Sequence, residues 1–307
     1  SSRRRHTRYI SVTGVQTCAL PILMNNFEKN ITFVVVSFKS GHIIEQCIRS
    51  INSSIKIIVV ENSDNIYFKN YLENKFSNVE VIIAKENLGY GRGNNLGLSK
   101  VNTQYAFILN PDAALEKNSL EELYKAQLKL HDDFAISAPN LLNNYGYFSK
   151  KNHFSKDEIF EVDYVKGFAM LINLKKINFE KIFDENFFLF LEEIDLCKRI
   201  KNDGKKIFVI QKSKVQHLAK QASEKSLNIE LCRNWHWMWS LFYYNYKHFG
   251  ALAAYRIAIS KFFSSTAKLF FALIFLNKKN FLIHYYRLSG LINAFLKKPA
   301  WLRPNKI

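Results

Sequence analysis

The feature that most constrains this chain is a repeated unit. A short apolar run stops in a cluster of small polar residues, and a stretch with helical spacing follows. Ile31–Phe38 (ITFVVVSF) is apolar and β-branched, the mark of a strand buried on both faces, and Ser40-Gly41 breaks it. His42–Asn52 then places Ile43, Ile44, Cys47, Ile48 and Ile51 at helical intervals. Ile55–Val60 (IKIIVV) is a second strand, ending in Glu61-Asn62-Ser63-Asp64, and Tyr67–Phe76 reads as a helix. Val79–Ala84 is a third strand, running into Glu86-Asn87-Leu88-Gly89-Tyr90-Gly91-Arg92-Gly93-Asn94-Asn95; Leu96–Val101 continues into a helix. Tyr105–Leu109 is a fourth strand, stopped by Asn110-Pro111-Asp112, because proline lacks the donor a central strand needs. Alternating strands and helices call for an α/β fold, with a mostly parallel sheet and helices on both faces.

The strand ends are chemically alike: Ser37, then Glu61-Asn62-Ser63, then the glycine-rich segment, then Asp112. In open sheets of this kind ligands bind outside the carboxyl ends of the strands. Asp112 stands where a metal bound to a phosphate would find a hard oxygen ligand. Gly89, Gly91 and Gly93 would let backbone N–H groups approach a phosphate, although their spacing is not the dinucleotide G-x-G-x-x-G. Each feature alone has a plainer reading, Asn-Pro-Asp as a turn and the glycines as an ordinary connection. Together on one edge they point to a nucleotide site.

Further on, Ser119–Leu130 has helical spacing with Glu121 and Glu122 in its first turn, and 142–157 is polar, without period. Phe187–Leu191 (FFLFL) reads as an apolar strand; Glu192, Glu193 and Asp195 follow and open an amphipathic helix. Three acids there either favour a helix N-terminus or supply a general base. Lys205–Ile210 reads as a short strand before Val215-Gln216-His217, where a lone histidine is by default structural.

The 307 residues are 48% hydrophobic, enough for one large α/β domain with an appendage, or two small domains. The first stretch carries Arg3, Arg4, Arg5 and Arg8 without an acid or an apolar run, so it is not a signal peptide; residues 1–23 read as a non-native leader, with the native chain from Met24. The formal charge of +18 is concentrated at the other end: Ser226–Ile307 holds twelve Lys/Arg against one acid, Glu230, and 19 of the 45 aromatic residues. Ala251–Leu276 is helical, with Arg256, Lys261 and Lys268 on one side and Phe262, Phe263, Leu269, Phe270 and Ile274 mostly opposite. Its longest unbroken apolar run, Leu269–Leu276, is shorter than the about 20 residues that span a bilayer. The tail either packs as a helical core or lies in the interface of an anionic membrane, the reading adopted here. No nucleic acid is expected as partner, since no binding module is recognisable. Cys18, Cys47, Cys197 and Cys232 have no metal-site spacing and read as reduced thiols of a cytosolic protein.

Taken together, VVVSFKSG, VVENSDN, ENLGYGRGNN, ILNPDA, VKGFAMLI, FDENFFLFLEEIDLCKRIKNDG and VQH resemble the family 2 inverting glycosyltransferases of the GT-A fold, most closely the rhamnosyltransferase-like branch that builds bacterial surface polysaccharides. The resemblance runs from about Ile31 to Ser223. It implies a GT-A (Rossmann-like) domain over 24–225 and a basic helical tail over 226–307. The donor is a dTDP- or UDP-linked sugar, held by Ser37, Glu61, Asn62, Ser63, Asn87, Gly89, Arg92, Asn95, Asn110 and Gly167. Asp112 and His217 hold a divalent cation, Mn²⁺ or Mg²⁺. Glu193 stands at the position of the general base, with Glu192 and Asp195 completing the catalytic cluster or orienting basic partners. The acceptor is a lipid-linked glycan at the inner face of the plasma membrane, and 142–157 a mobile loop beside it. The alternatives are a non-catalytic nucleotide-sugar-binding or scaffold protein and a nucleotidyltransferase on a similar sheet.

Overall fold

The apolar runs form strands β1 (Ile31–Ser37), β2 (Lys56–Glu61), β3 (Val79–Ile83) and β4 (Tyr105–Leu109); β4 is buried throughout, β1 and β2 at all but one position each, and the edge strand β3 only in part. Between them lie α1 (Ile44–Arg49), α2 (Ile66–Lys75) and α3 (Gly89–Leu98). The chain continues through β5 (Ala113–Leu115), α4 (Ser119–Leu130), β6 (Ile136–Leu141), β7 (Ile159–Glu161), β8 (Ala169–Asn173), α5 (Glu192–Asn202) and β9 (Ile207–His217), and ends in α6 (Leu227–Ile274) and α7 (Lys278–Phe295). This computed structural model describes residues 24, 26–131, 133–142, 158–218 and 221–306. The expected leader with Cys18, and the expected mobile loop beyond its first residue, lie outside the described residues.

One mixed sheet runs in the order β3-β2-β1-β4-β8-β6-β9-β5, with β7 added on β9. The first four strands are parallel, as the strand–helix alternation requires. Beyond β4 the pairing turns antiparallel, apart from β6 with β9. The GT-A α/β class expected from sequence holds, and the parallel half alone carries the alternation that signalled it. Two local expectations change. Lys205–Ile210 and Val215-Gln216-His217 are one eleven-residue strand, whose register on β6 slips between Pro139 and Asn140. Phe187–Leu191 is not a strand: Phe190 and Leu191 have left-handed φ of 72° and 69°, which no ladder accommodates.

The glycine-rich segment is also not a loop. Gly89–Leu98 is helix α3; Gly93 and Gly97 lie against the sheet, and Gly89 and Gly91 against Phe188 and Phe183. A Cβ on Gly97 would stand 2.4 Å from Val34 Cγ1, and one on Gly93 2.9 Å from Val36 Cγ1. The missing side chains let α3 sit close on β1, a packing use of glycine rather than a phosphate cradle.

The tail is packed into the rest. α6 breaks at Gly250 (φ 82°, ψ 176°) and doubles back, so that Tyr255 meets both Phe242 and Phe295 at 5.4 and 5.6 Å. α7 then runs alongside the first half of α6, joined by Lys279–Glu230 (2.8 Å), Trp235–Ser289 (3.2 Å) and Phe242–Phe295 (5.0 Å). Cys232, Trp235, Met238, Trp239 and Phe242 enclose Phe188 in a second core. Ser240 Oγ donates to Leu189 O, Tyr243 Oη to Asp184, and Arg303 Nε to Asn87 O. Contacts therefore cross the boundary expected at 225/226. The bundle is bare elsewhere: Phe263, Phe270, Phe271, Phe275 and Leu276 are 58–88% exposed. By length and composition α6 is apolar enough to cross a membrane, with 17% of its most apolar window buried. Counting only unbroken apolar runs hid this, because single polar residues interrupt it.

Candidate active site

The sheet register assembles the site. β5 pairs antiparallel with β9 so that Ala113 lies opposite His217, which puts His217 beside Asp112. Asp112 Oδ1 is buried, has no hydrogen-bond partner among the described residues, and lies 3.3 Å from His217 Nε2. Oδ2 accepts from Gln221 N at 3.2 Å. Burial pushes the Asp112 carboxyl up, but the His217 imidazole and the Gln221 amide outweigh it and leave the group below the usual carboxylate range. Phe168 stacks on the imidazole, centroids 4.0 Å apart, and fixes its plane. Asn110 N donates to Phe168 O at 2.8 Å, which aligns Asn110 with Gly167 and Phe168.

Gly167 is where close approach is needed. A Cβ there would stand 3.2 Å from Glu193 Cβ and 3.3 Å from the Tyr90 ring, and Tyr90 Oη donates to Gly167 O. α5 opens at this point. Glu192 is buried, with Oε2 unpartnered, and burial followed by the neighbouring Glu193 pushes its carboxyl well above the usual range. Glu193 carries the more open carboxylate, 3.7 Å from Lys166 Nζ.

Asn62, Asn87, Gly89, Asn110, Gly167, Glu192, Glu193 and His217, among those expected from sequence, line one cavity of about 450 Å³, joined by Tyr90, Lys166, Phe188 and Arg233; Asp112 itself lines a separate small hollow with Cys47 and Pro111. A cavity of this size suits a small ligand. Of the other expected residues, Ser37 ends β1 buried, with Oγ unpartnered. Glu61 accepts from the Ser63 amide (2.7 Å) and from its hydroxyl, and Ser63 lines a separate hollow with Asn87. Asn62 Nδ2 donates to Gly89 O at 3.0 Å and ties β2 to the start of α3.

Three more of the expected residues do not line the cavity, and for Asp195 the surroundings match the alternative of orienting basic partners. Arg92 pairs with Glu86 at 3.7 Å and does not line the cavity. Asn95 is spent on Phe183, donating to its carbonyl and accepting from its amide at 2.9 Å each. Asp195 is fully buried away from the cavity among Arg199 (2.8 Å), Lys247 (2.5 Å) and His248 (2.8 Å), so it anchors α5 to α6. Lys166 and Tyr90, missed from sequence, flank Gly167 and the glycine segment, and side-chain type next to a close-packed glycine was the available signal. Arg233 had none, because its place depends on how the tail folds back.

The profile of glycosyl transferase family 2 matches residues 32–190. The chain is 25% identical over 198 residues to the low-salt glycan biosynthesis hexosyltransferase Agl10 of Haloferax volcanii, an alignment covering 57% of this chain and 62% of that protein. It is 23% identical over 219 residues to the rhamnosyltransferase WbbL of Escherichia coli, covering 61% of this chain and 82% of the relative. Among solved structures, S. aureus TarS 1–349 in complex with UDP superposes with a TM-score of 0.52 at 12% identity, over 88% of this chain and 92% of the other. GalNAc-T7 with UDP, GalNAc and Mn²⁺ gives 0.52 at 14%, over 61% and 43%. The two structures share the fold. The family match covers more than half of the chain, from β1 through β8 to the loop before α5, so the chain belongs to glycosyl transferase family 2.

Proposed function

We propose that this chain transfers a sugar, with inversion, from a nucleoside-diphosphate sugar to a hydroxyl of a lipid-linked glycan at the cytoplasmic face of a membrane. The observation that carries this is convergence: Asn110, Gly167, Glu193 and His217 come from separate segments and meet on one cavity. The hexosyltransferase and rhamnosyltransferase named among the relatives, and the UDP complexes of structures sharing the fold, support a nucleotide-sugar donor, dTDP- or UDP-linked. Glu193 lines the same cavity as His217 and takes the acceptor's proton. The acceptor oxygen bonds to the anomeric carbon as the bond from that carbon to the diphosphate oxygen breaks. Glu192, held toward its neutral form, keeps a second negative charge from the pair.

Asp112 Oδ1, buried and unpartnered, and the half-buried His217 Nε2 3.3 Å from it fit a divalent cation, with imidazole favouring Mn²⁺ over Mg²⁺. Among the described residues no third His, Cys, Asp or Glu joins them, which leaves room for phosphate oxygens. When bound, the cation neutralises charge on the departing diphosphate. The bare aromatic end of the tail supports a peripheral membrane position. There Lys268 and His284 line one hollow with Phe271 and Phe275.

A donor panel tests the reading. Release of nucleoside diphosphate from dTDP-rhamnose and UDP-sugars is measured with Mn²⁺ and with chelator. Turnover that stops in chelator and returns with Mn²⁺ is expected. Full turnover in chelator removes the metal, pyrophosphate release points to a nucleotidyltransferase, and binding without turnover points to a non-catalytic protein.

A further inference from the structure

A second cavity of about 800 Å³ adjoins the donor cavity, and Phe190, Ser223, Ile229 and Arg233 form the wall between them. The rest of its lining includes Trp237, Lys279 and Lys225, with the acids Glu224 and Glu230. Trp237 stands out on its helix. Trp235, His236, Met238 and Trp239 around it are buried, whereas Trp237 is 38% exposed and faces this cavity. Phe190 meets it edge-on at 5.6 Å and 83°. Phe190 and Leu191 are both held at positive φ, a conformation bulky residues adopt only where the surroundings impose it. Arg233 lies 5.7 Å over the Phe190 ring and forms no ion pair among the described residues. Two aromatic faces and a free guanidinium in a hollow are suited to a pyranose ring, which offers an apolar C–H face and a rim of hydroxyls.

The bundle gives the direction from which such a ligand arrives. Lys279 pairs with Glu230 at 2.8 Å, which brings the start of α7 to the start of α6. The exposed Phe275 and Leu276 immediately precede α7, so the apolar tip and the cavity mouth lie at the same end.

We propose that this second cavity is the acceptor site, taking a sugar linked through a diphosphate to a lipid. The ring lies against Trp237 and Phe190, and the hydroxyl to be glycosylated points past Phe190 and Arg233, which line both cavities, toward Glu193. The diphosphate leaves past Lys279 toward a bilayer held at the tip. This rests on the reading of the neighbouring cavity as the donor site.

The test uses the full chain and farnesyl-diphosphate-linked glucose, galactose and N-acetylglucosamine as probes, with the matching octyl glycosides and farnesyl diphosphate as the two halves. Binding is measured calorimetrically without donor. Wild type binds at least one linked sugar. Trp237→Ala weakens that probe and its octyl glycoside by about tenfold, spares farnesyl diphosphate, and Trp237→Phe restores most of the affinity. Lys279→Ala shows the reverse pattern, losing farnesyl diphosphate and sparing the octyl glycoside. In transfer assays Trp237→Ala raises KM for the probe with little change in kcat. Equal binding by wild type and Trp237→Ala, or no binding of any probe, overturns the assignment. Release of nucleoside diphosphate into water separates the two readings. If wild type turns donor over while Trp237 is indifferent, the acceptor site fails alone. If donor is never turned over while sugar binding depends on Trp237, the transferase reading fails alone.

Discussion

Glu192 and Glu193 are adjacent in sequence and opposite in surroundings. The first is buried with an unpartnered oxygen, and the second opens to the cavity beside Lys166. A base must reach its proton and be charged when it does so, which assigns the role to Glu193. Glu193→Gln is expected to lower kcat by about 10²–10⁴-fold while donor affinity, read by titration with the nucleotide, stays near wild type. Glu192→Gln, an isostere of the neutral form it is held toward, should cost far less. A larger loss from Glu192→Gln would reverse the assignment. At this scale the sequence was informative where a residue ends a strand. Asn62 and Asn110 each stand at the end of a mostly apolar strand, and the sheet delivers them to one edge, whereas His217 follows the polar Gln211-Lys212-Ser213-Lys214 and only the family resemblance singled it out. Arg92 and Asn95 misled because a loop was assumed where a helix turns them onto Glu86 and Phe183.

At the scale of the element, α3 is the instructive case. Glycine costs about 1 kcal/mol per residue in a helix relative to alanine, so a run holding Gly89, Gly91, Gly93 and Gly97 reads as a loop. Packing overrides that preference, since each bare face lets the helix approach β1 or the segment before α5. Gly97→Ala therefore sets about 1 kcal/mol of helix propensity against a methyl 2.4 Å from Val34 Cγ1, in a core where overpacking costs about 1–3 kcal/mol. Net destabilisation is expected, visible as a lower urea midpoint. Gly41→Ala, where the new methyl would lie 3.7 Å from Phe68, should leave the midpoint nearly unchanged. A stabilised Gly97→Ala would mean that α3 does not sit this close. Phe187–Leu191 was misread for a related reason. Its apolarity serves Phe188, which is buried against the tail, and no local period distinguishes that from a strand.

For the whole molecule, the question is what the tail does. A chain ending at Ser226 would strip Trp235, Met238 and Trp239 from Phe188 and leave Asp195 buried without Lys247 or His248. Such a chain is expected to precipitate, so truncation cannot isolate the membrane contribution, although charge and composition alone made a detachable tail a natural expectation. Substitution at the tip can isolate it. Phe270, Phe271 and Phe275 are 58–75% exposed, so changing all three to Ser should leave the thermal midpoint close to wild type. Binding has two separable terms. Headgroup attraction is worth about 1 kcal/mol per Lys or Arg near an anionic surface and is screened by salt, whereas burial of the aromatic rings is not. The full chain should sediment with phosphatidylglycerol vesicles far better than with phosphatidylcholine, and 0.5 M salt (about one-half of the concentration that shrinks the screening length to roughly 3 Å) should release only part of it. The triple Ser variant should bind anionic vesicles weakly and be released by salt completely. Lys261→Glu with Lys268→Glu should do the converse, losing the preference for anionic lipid while keeping the salt-resistant fraction. If the full chain ignores both kinds of vesicle, or the triple Ser variant binds as wild type does, the exposed end of the bundle does not face a bilayer.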